Sequence, residues 1–250
     1  LKKYLFVDLD DTLFSTLGKC VTADELRAAA FLKDGSPCSY TTARQRSFLQ
    51  MAAEGMTLVP TTARNRDALS RVDIPFTDYK IINYGGVILT PDGRPEAHWM
   101  AQMQRQMSVA LPGLQQIMAL IDDYGVRQGY GARARLIEDF NLAFYVVVKD
   151  PDKMAANLAV LAEQVVAPWA AGEGADFYIH RNGNNLAILP KTLNKAHAVA
   201  YLVQQLRQQH GDIMTMGMGD SRSDAAFMAL CDYAVVPKGT QLAGLTVAAL

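Results

Sequence analysis

The chain has 250 residues, with 24 basic and 25 acidic side chains and a formal net charge of −1. Hydrophobic residues make up 50% and charged ones 20%, ordinary globular composition with ample material for a core, which excludes a disordered chain. Near-neutral charge gives no electrostatic reason to expect nucleic acid or an acidic membrane surface as a partner.

In chain order, residues 3–9 (KYLFVDL) form a short, nearly continuous apolar run, as expected of a buried parallel strand. The N-terminus carries two lysines, Lys2 and Lys3, but no long apolar segment before Asp8, so no signal peptide is expected. Residues 41–54 read as a helix, 56–61 as a second buried strand, 64–70 as a short helix and 79–84 as a third strand closed by Gly85-Gly86. The character then changes. Residues 85–96 read as strand, Pro-Asp-Gly turn, strand. Residues 99–124 read as a helix interrupted at Pro112-Gly113, and 133–139 and 142–149 as paired strands around Asn141. A helix over 151–169 with Pro151 at its start follows, then strands at 175–181 and 185–190. Alternation returns with an amphipathic helix at 195–210, whose stripe is Ala196, Val199, Leu202, Val203 and Leu206. A buried strand at 213–219, a short helix at 224–231 and a last strand at 233–237 complete the chain.

This order predicts an α/β domain with a parallel sheet, residues 1–86 and 188–250, interrupted by an inserted α+β module, residues 87–187. The charge-free stretch 106–121 carries three Gln, a Ser, a Pro and a Gly, and the run 155–171 is broken by Glu163 and Gln164. Neither predicts a membrane span. The odd set Cys20, Cys38 and Cys231 lacks C-x-x-C spacing, and the four histidines form no local pair. Neither a disulfide framework nor a zinc site is expected, and a reducing cytoplasm is the expected compartment.

The informative residues lie at strand ends. Asp8-Leu9-Asp10-Asp11-Thr12 follows the first strand. In extended backbone residues i and i+2 project to one face, so Asp8 and Asp10 are expected to converge at the carboxyl end of a parallel strand, where open α/β sheets bind ligands. Gly219-Asp220-Ser221-Arg222-Ser223-Asp224 follows another buried strand and opens a helix. Four carboxylates in one cleft repel unless a cation sits among them, and an all-oxygen set favours Mg²⁺. Thr61-Thr62-Ala63-Arg64 also joins a strand to a helix, offering hydroxyls and backbone N–H groups to a phosphate. Lys195 opens a helix, where its charge opposes the helix dipole and calls for an anion nearby.

DLDDT, the threonine of TTAR, Lys195 in TLNKAHAV and GDSRSDAAFM resemble, in order, the four motifs of the haloacid dehalogenase (HAD) superfamily. The insertion after NYGGVI looks like a C2-type cap, as in Cof-like and sucrose-phosphate-phosphatase-like members. The resemblance implies that Asp8 is the nucleophile and forms an aspartyl-phosphate. It implies that Asp10 is the general acid and then the base. Thr62, with the backbone of Ala63, would bind phosphoryl oxygens, and Lys195 would offset charge. Mg²⁺ would be held by the Asp8 carboxylate, the Asp10 carbonyl and the Asp220 carboxylate, with Asp224 a further ligand or an acceptor behind them.

The chain departs from the family pattern at three positions. Asp11 and Ala63 stand where Gly is common, and Ser223 where Asn often contacts phosphate. Thr61, Ala63, Arg64 and Ser223 are therefore the phosphate and substrate candidates. Arg133, Arg135, Arg181 and Asn184 are candidates within the cap. The expected activity is Mg²⁺-dependent hydrolysis of small phosphorylated metabolites, in particular sugar phosphates, by a monomer or homodimer that engages neither nucleic acid nor membrane. The alternatives are a hexose phosphomutase resembling phosphomannomutases and a phospho-accepting domain resembling response-regulator receivers.

Overall fold

The computed structural model describes residues 1–20, 25–129, 131, 133–152, 154–181 and 183–247. The elements are, in order, β1 (Lys2–Val7), β2 (Arg27–Phe31), β3 (Pro37–Thr41), α1 (Ala43–Gly55), β4 (Thr57–Pro60), α2 (Arg66–Leu69), β5 (Lys80–Ile82) and β6 (Val87–Leu89). Then come α3 (Ala97–Gln128), β7 (Arg133–Asp139), β8 (Leu142–Lys149), α4 (Ala155–Leu161), α5 (Ala167–Ala171), β9 (Phe177–Arg181) and β10 (Leu186–Pro190). The chain ends with α6 (Lys195–His210), β11 (Ile213–Met218), α7 (Ala225–Met228), β12 (Tyr233–Val235) and α8 (Gln241–Val247). The fold is mixed α/β and divides into two compact units, Leu1–Met100 with Asn194–Leu250, and Ala101–Leu193.

The first unit is built on a parallel sheet of order β12-β11-β1-β4. β1 is its central strand, and Tyr4 to Val7 are all buried, which is why this stretch is apolar without alternation. The register pairs Val7 with Met218 on one side and with Pro60 on the other. Asp8, Gly219 and Thr61, each one residue further on, therefore emerge side by side at the carboxyl edge. The Asp8 amide donates to Met218 O (2.9 Å) and the Thr61 amide to Val7 O (2.8 Å).

Several expectations need correction here. Residues 25–41 carry an antiparallel β2–β3 hairpin that the sequence reading left unassigned. Its turn is built on Asp34, whose Oδ1 accepts from the Ser36 amide (2.9 Å), and on Gly35 at φ 82°. The expected strand, turn and return over 85–96 are present in short form: β6 pairs with β5, and past Pro91-Asp92-Gly93 the chain returns to bridge Leu89 with Pro95, the Thr90 amide donating to Arg94 O (2.8 Å) and the Glu96 amide to Ile88 O (2.7 Å). Residues 87–100, expected in the inserted module, group with the first unit. β6 pairs there with β5, and the Trp99 indole donates to Gly85 O (2.9 Å). On α6, Ala198 joins Val199, Leu202, Val203 and Leu206 in the buried stripe, while Ala196 is half-buried.

The second unit is an antiparallel sheet of order β7-β8-β10-β9. One face packs Val146, Val148, Leu186 and Ile188 against Leu114, Ile117 and Ile121 of α3 and against Leu158, Leu161 and Trp169 of the later helices. α3 runs unbroken through Pro112, contrary to the expected interruption. Pro112 forfeits only the one amide that would bond back to Ser108, and the remaining turns carry the helix. The helix expected from Pro151 starts at Ala155. Between α4 and α5 it widens into a π turn over Ala162–Val166, just ahead of Pro168, whose missing N–H and bulky ring disfavour regular α geometry at that turn.

Gly113 of α3 lies against Phe177. A Cβ there would fall 2.6 Å from the ring Cζ. Phe177 is buried and stacks on Trp169 at 5.0 Å between centroids, so the ring has nowhere to retreat. In an open helix Gly→Ala gains about 1 kcal/mol of propensity. Overpacking of this kind costs about 1–3 kcal/mol. Gly113→Ala is therefore expected to lower the midpoint of urea unfolding, and a raised midpoint would show that the contact yields freely.

Candidate active site

The strand-end motifs meet within the first unit. Asp8 leaves β1 into a buried position, 6% exposed. Lys195, in the first turn of α6, is equally buried, and its Nζ donates to Asp8 Oδ1 (2.7 Å) and to Asp224 Oδ1 (2.7 Å). Asn194 caps α6, its Oδ1 accepting from the Ala196 amide (2.8 Å), which fixes where Lys195 starts. Gly85, at φ 96°, lets the chain pass close by, since a Cβ there would sit 2.5 Å from Asn194 O. Gly219 plays the same part in the β11–α7 loop, where a Cβ would lie 2.4 Å from that of Asp224.

Two residues to which the sequence reading gave no role complete this cluster. The Thr12 hydroxyl lies 3.3 Å from both Asp8 Oδ2 and Asp220 Oδ1 and bridges the two motifs. Ser221 donates its amide (3.1 Å) and hydroxyl (2.6 Å) to Asp224 Oδ2, leaving Oδ1 for Lys195. The spacing Ser221-x-x-Asp224 is a capping-box pattern and was a usable signal for the second contact. Nothing local in the sequence pointed to Thr12 as a bridge.

Asp8, Asp220 and Asp224 each place a carboxylate oxygen within 4.8 Å of the others. The Asp10 side chain, expected to converge with Asp8, is not in that group. It accepts two bonds from Arg64, Nε to Oδ2 (2.8 Å) and Nη2 to Oδ1 (2.7 Å). Thr62 is buried, and its Oγ1 accepts from the Arg64 amide (3.1 Å). The Thr61 hydroxyl donates to Val59 O (3.2 Å), so it is committed to its own strand. Ala63 is half-buried in the same loop. Ser223 is half-buried and shares a hydroxyl contact with Ser221 (2.8 Å). Asp11 adopts φ 63°, a conformation that favours glycine, and pairs with Lys19 (2.5 Å).

Three carboxylates crowd around one ammonium, and the electrostatics follow. Burial holds the Asp8 carboxyl well above the usual range, with Asp224 adding to the rise and Lys195 opposing it. Burial, then Asp224 and Asp11, push Asp220 up to about 6. Burial works in the same direction on Asp224, but Lys195 overrides it and holds that group below its ordinary value. Burial opposes the Lys195 charge, yet Asp224 and Asp8 keep its pKa raised. A hard divalent cation fits the donor set. The three acids supply only oxygen, sit close enough to share one ion, and carry more negative charge than Lys195 neutralises.

Asp8, followed by Asp10, at the edge of the parallel sheet and held with Lys195 and the Asp220–Asp224 loop, defines a phosphatase of the haloacid dehalogenase superfamily. The model of the sucrose-6F-phosphate phosphohydrolase family matches residues 1–240, and the chain belongs to that family. Among solved structures it resembles the C-terminal domain of trehalose-6-phosphate phosphatase from C. albicans, with 14% identity over 90% of this chain and 72% of that one, at a TM-score of 0.57. It also resembles the sucrose-phosphatase of Synechocystis sp. PCC6803, solved with sucrose and phosphate, with 15% identity over 99% and 97% of the two chains and a TM-score of 0.54. A Thermoplasma acidophilum protein aligns at 12% identity over 99% and 98%, with a TM-score of 0.52. At such identities these likenesses concern the fold alone. A search of curated proteins finds no match.

Crowding of the acids gives a pH test. A carboxyl whose pKa is raised on folding keeps its proton in the fold after the unfolded chain has lost it, so stability falls as pH climbs between the two values. For Asp220 that window runs from about 4 to about 6. In metal-free protein, Asp220→Asn is expected to gain Tm relative to wild type progressively across this window, followed by differential scanning fluorimetry. A Tm difference that stays constant with pH would contradict the crowding.

Proposed function

We propose that this chain hydrolyses the phosphate monoesters of small sugars in a Mg²⁺-dependent reaction through an aspartyl-phosphate on Asp8. The observation that carries the reading is the Lys195 ammonium shared by Asp8 and Asp224 (2.7 Å each) beside Asp220. A buried carboxylate oriented by a lysine at the end of a parallel strand suits in-line attack on phosphorus. The match to the sucrose-6F-phosphate phosphohydrolase family over residues 1–240 supports the substrate class.

In this scheme Asp8 Oδ attacks phosphorus while the ester P–O bond breaks, and Asp10 delivers a proton to the departing oxygen. Water then attacks the acyl phosphate, gives its proton to Asp10, and releases Asp8 and inorganic phosphate. Thr62 and the Ala63 backbone receive the phosphoryl oxygens, with Ser223 of the β11–α7 loop a further contact. Lys195 holds Asp8 in place and offsets the charge that builds on the transferring group. Asp8, Asp220 and Asp224 would hold Mg²⁺, whose charge would lower the repulsion between an anionic nucleophile and an anionic ester.

The inserted unit is assigned the recognition of the leaving group. Within it, Asn184 is tied to Asp150, accepting from its amide (3.1 Å) and donating to its carbonyl (2.8 Å), which marks Asn184 as structural. Arg133 and Arg135 are exposed and alternate along β7 with Ala134 and Leu136, which pack on the apolar core of the unit, and Arg181 is exposed at the end of β9. No helix among the described residues is long and apolar enough to cross a membrane.

Asp8→Asn keeps the shape and removes the attacking anion. It is expected to lower turnover of an aryl phosphate by about 10³-fold or more with the fold retained by circular dichroism. Activity within about tenfold of wild type would remove Asp8 from the chemistry. EDTA is expected to abolish hydrolysis and added Mg²⁺ to restore it, and full activity in chelator would make the acidic cluster purely structural. Arg135→Ala is expected to change the ranking of sugar phosphates by KM while leaving aryl phosphate turnover near wild type. An unchanged ranking would take Arg135 out of recognition.

A further inference from the structure

Arg64 stands out in the first unit because its whole side chain is already occupied. Nε and Nη2 grip the two oxygens of Asp10, at 2.8 and 2.7 Å, and Nη1 donates to Ala68 O (3.2 Å). The guanidinium carbon lies 5.1 Å from the centroid of the Phe14 ring, within the range of a cation–π contact. Its amide is held by the Thr62 hydroxyl (3.1 Å). The side chain is 15% exposed, whereas that of Asp10 is 47% exposed. A well-fixed arginine thus holds a half-open carboxylate that has no other side-chain partner among the described residues.

We propose that Arg64 is a positioning residue for Asp10 and not a contact to the substrate; the proposal rests on the phosphatase reading above. A planar guanidinium bonded through two parallel N–H···O contacts fixes the plane of a carboxylate as well as its distance. A half-exposed Asp10 without that fork samples several rotamers, and few of them aim an oxygen at the departing group. Misplacement of about 1 Å costs up to about 10²-fold in rate. Asp10 must transfer a proton twice, once to the leaving oxygen as the P–O bond breaks and once from the water that attacks phosphorus, ending as it began. At each transfer one oxygen is needed for the proton, so one prong of the fork opens while the other, with Ala68 and Phe14 holding Arg64 still, keeps Asp10 in register. Arg64 therefore serves the steps that depend on Asp10 and no others.

The test is kinetic and uses the full chain. Wild type, Arg64→Ala, Arg64→Lys, Asp10→Asn and the double variant Asp10→Asn/Arg64→Ala are assayed with p-nitrophenyl phosphate and with a hexose 6-phosphate. The aryl ester leaves with little protonation and the hexose ester needs it. Arg64→Ala is expected to lower kcat on the hexose ester by about 10–100-fold, several-fold more than on the aryl ester, with KM within about threefold. Arg64→Lys keeps the charge but lacks the fork, folds if the alanine variant does not, and is expected to show the same ester-dependent loss. Methylguanidinium in solution is expected to restore part of the hexose turnover of Arg64→Ala and none of that of the double variant. The double variant is expected to be no slower than Asp10→Asn, because Arg64 acts through Asp10. A rise in KM alone, an equal loss in kcat/KM (the phosphoryl-transfer step) on both esters, or additive losses in the double variant would overturn the proposal while leaving the phosphatase reading intact. Failure of the wild-type chain on both esters would overturn that reading and this proposal together.

Discussion

Lys195 is the residue on which the arrangement depends. Its ammonium is buried and bonded at 2.7 Å to carboxylates from two different strand ends, Asp8 after β1 and Asp224 at the start of α7. A charge withdrawn from water survives only if it is paired and its hydrogen bonds are satisfied, and removing one partner leaves the other exposed to the full desolvation cost. Lys195 also sits at the N-terminal end of α6, where the helix dipole works against it. Both penalties are met by the two carboxylates and by Phe227, whose ring lies 5.7 Å from Nζ. The same bonds fix the nucleophile, brace the β11–α7 loop and tie α6 to the sheet edge.

The backbone makes this convergence possible. Parallel pairing brings Asp8, Thr61 and Gly219 to one level, because the registers on both sides of β1 end together at Val7. Glycine then does its work only where atoms approach too closely for a side chain, at Gly219 under Asp224 and at Gly85 against Asn194. Asp220 is left beside the pair, bridged to Asp8 through Thr12 and not neutralised by Lys195. That residual negative charge shapes a place for a divalent cation, and the crowding that raises the Asp220 pKa expresses the same imbalance. The parts of the site are coupled by charge, so substitutions within it are expected to combine non-additively.

Much of the site was legible because its residues sit directly after apolar strands that themselves stand out in sequence. Burial on both faces makes β1 and β11 nearly continuous apolar runs, and a carboxylate at the end of such a run is conspicuous. What escaped depends on tertiary contacts. Asp10 and Arg64 are 54 positions apart, and no local pattern announces that the arginine grips the acid. The β2–β3 hairpin was passed over because Arg27-Ala28-Ala29-Ala30-Phe31 lacks polar alternation, although Asp34-Gly35 is a fair turn signal. Pro112 misled in the opposite sense, since a long helix packed along one side absorbs a proline that a short helix would not. The grouping of segment 87–100 with the first unit rests on its strand pairing with β5 and on the Trp99–Gly85 contact, both invisible to composition.

The central claim is that Asp8, held by Lys195, becomes phosphorylated. Enzyme caught in turnover with a sugar phosphate and Mg²⁺ can be acid-quenched, reduced with borohydride and digested, since an acyl phosphate is reduced where a free carboxylate is not. Peptide mass spectrometry is expected to find homoserine in place of Asp8 and unmodified aspartate at positions 10, 220 and 224. Continued turnover with Asp8 unreduced, or reduction at one of the other three, would contradict the account.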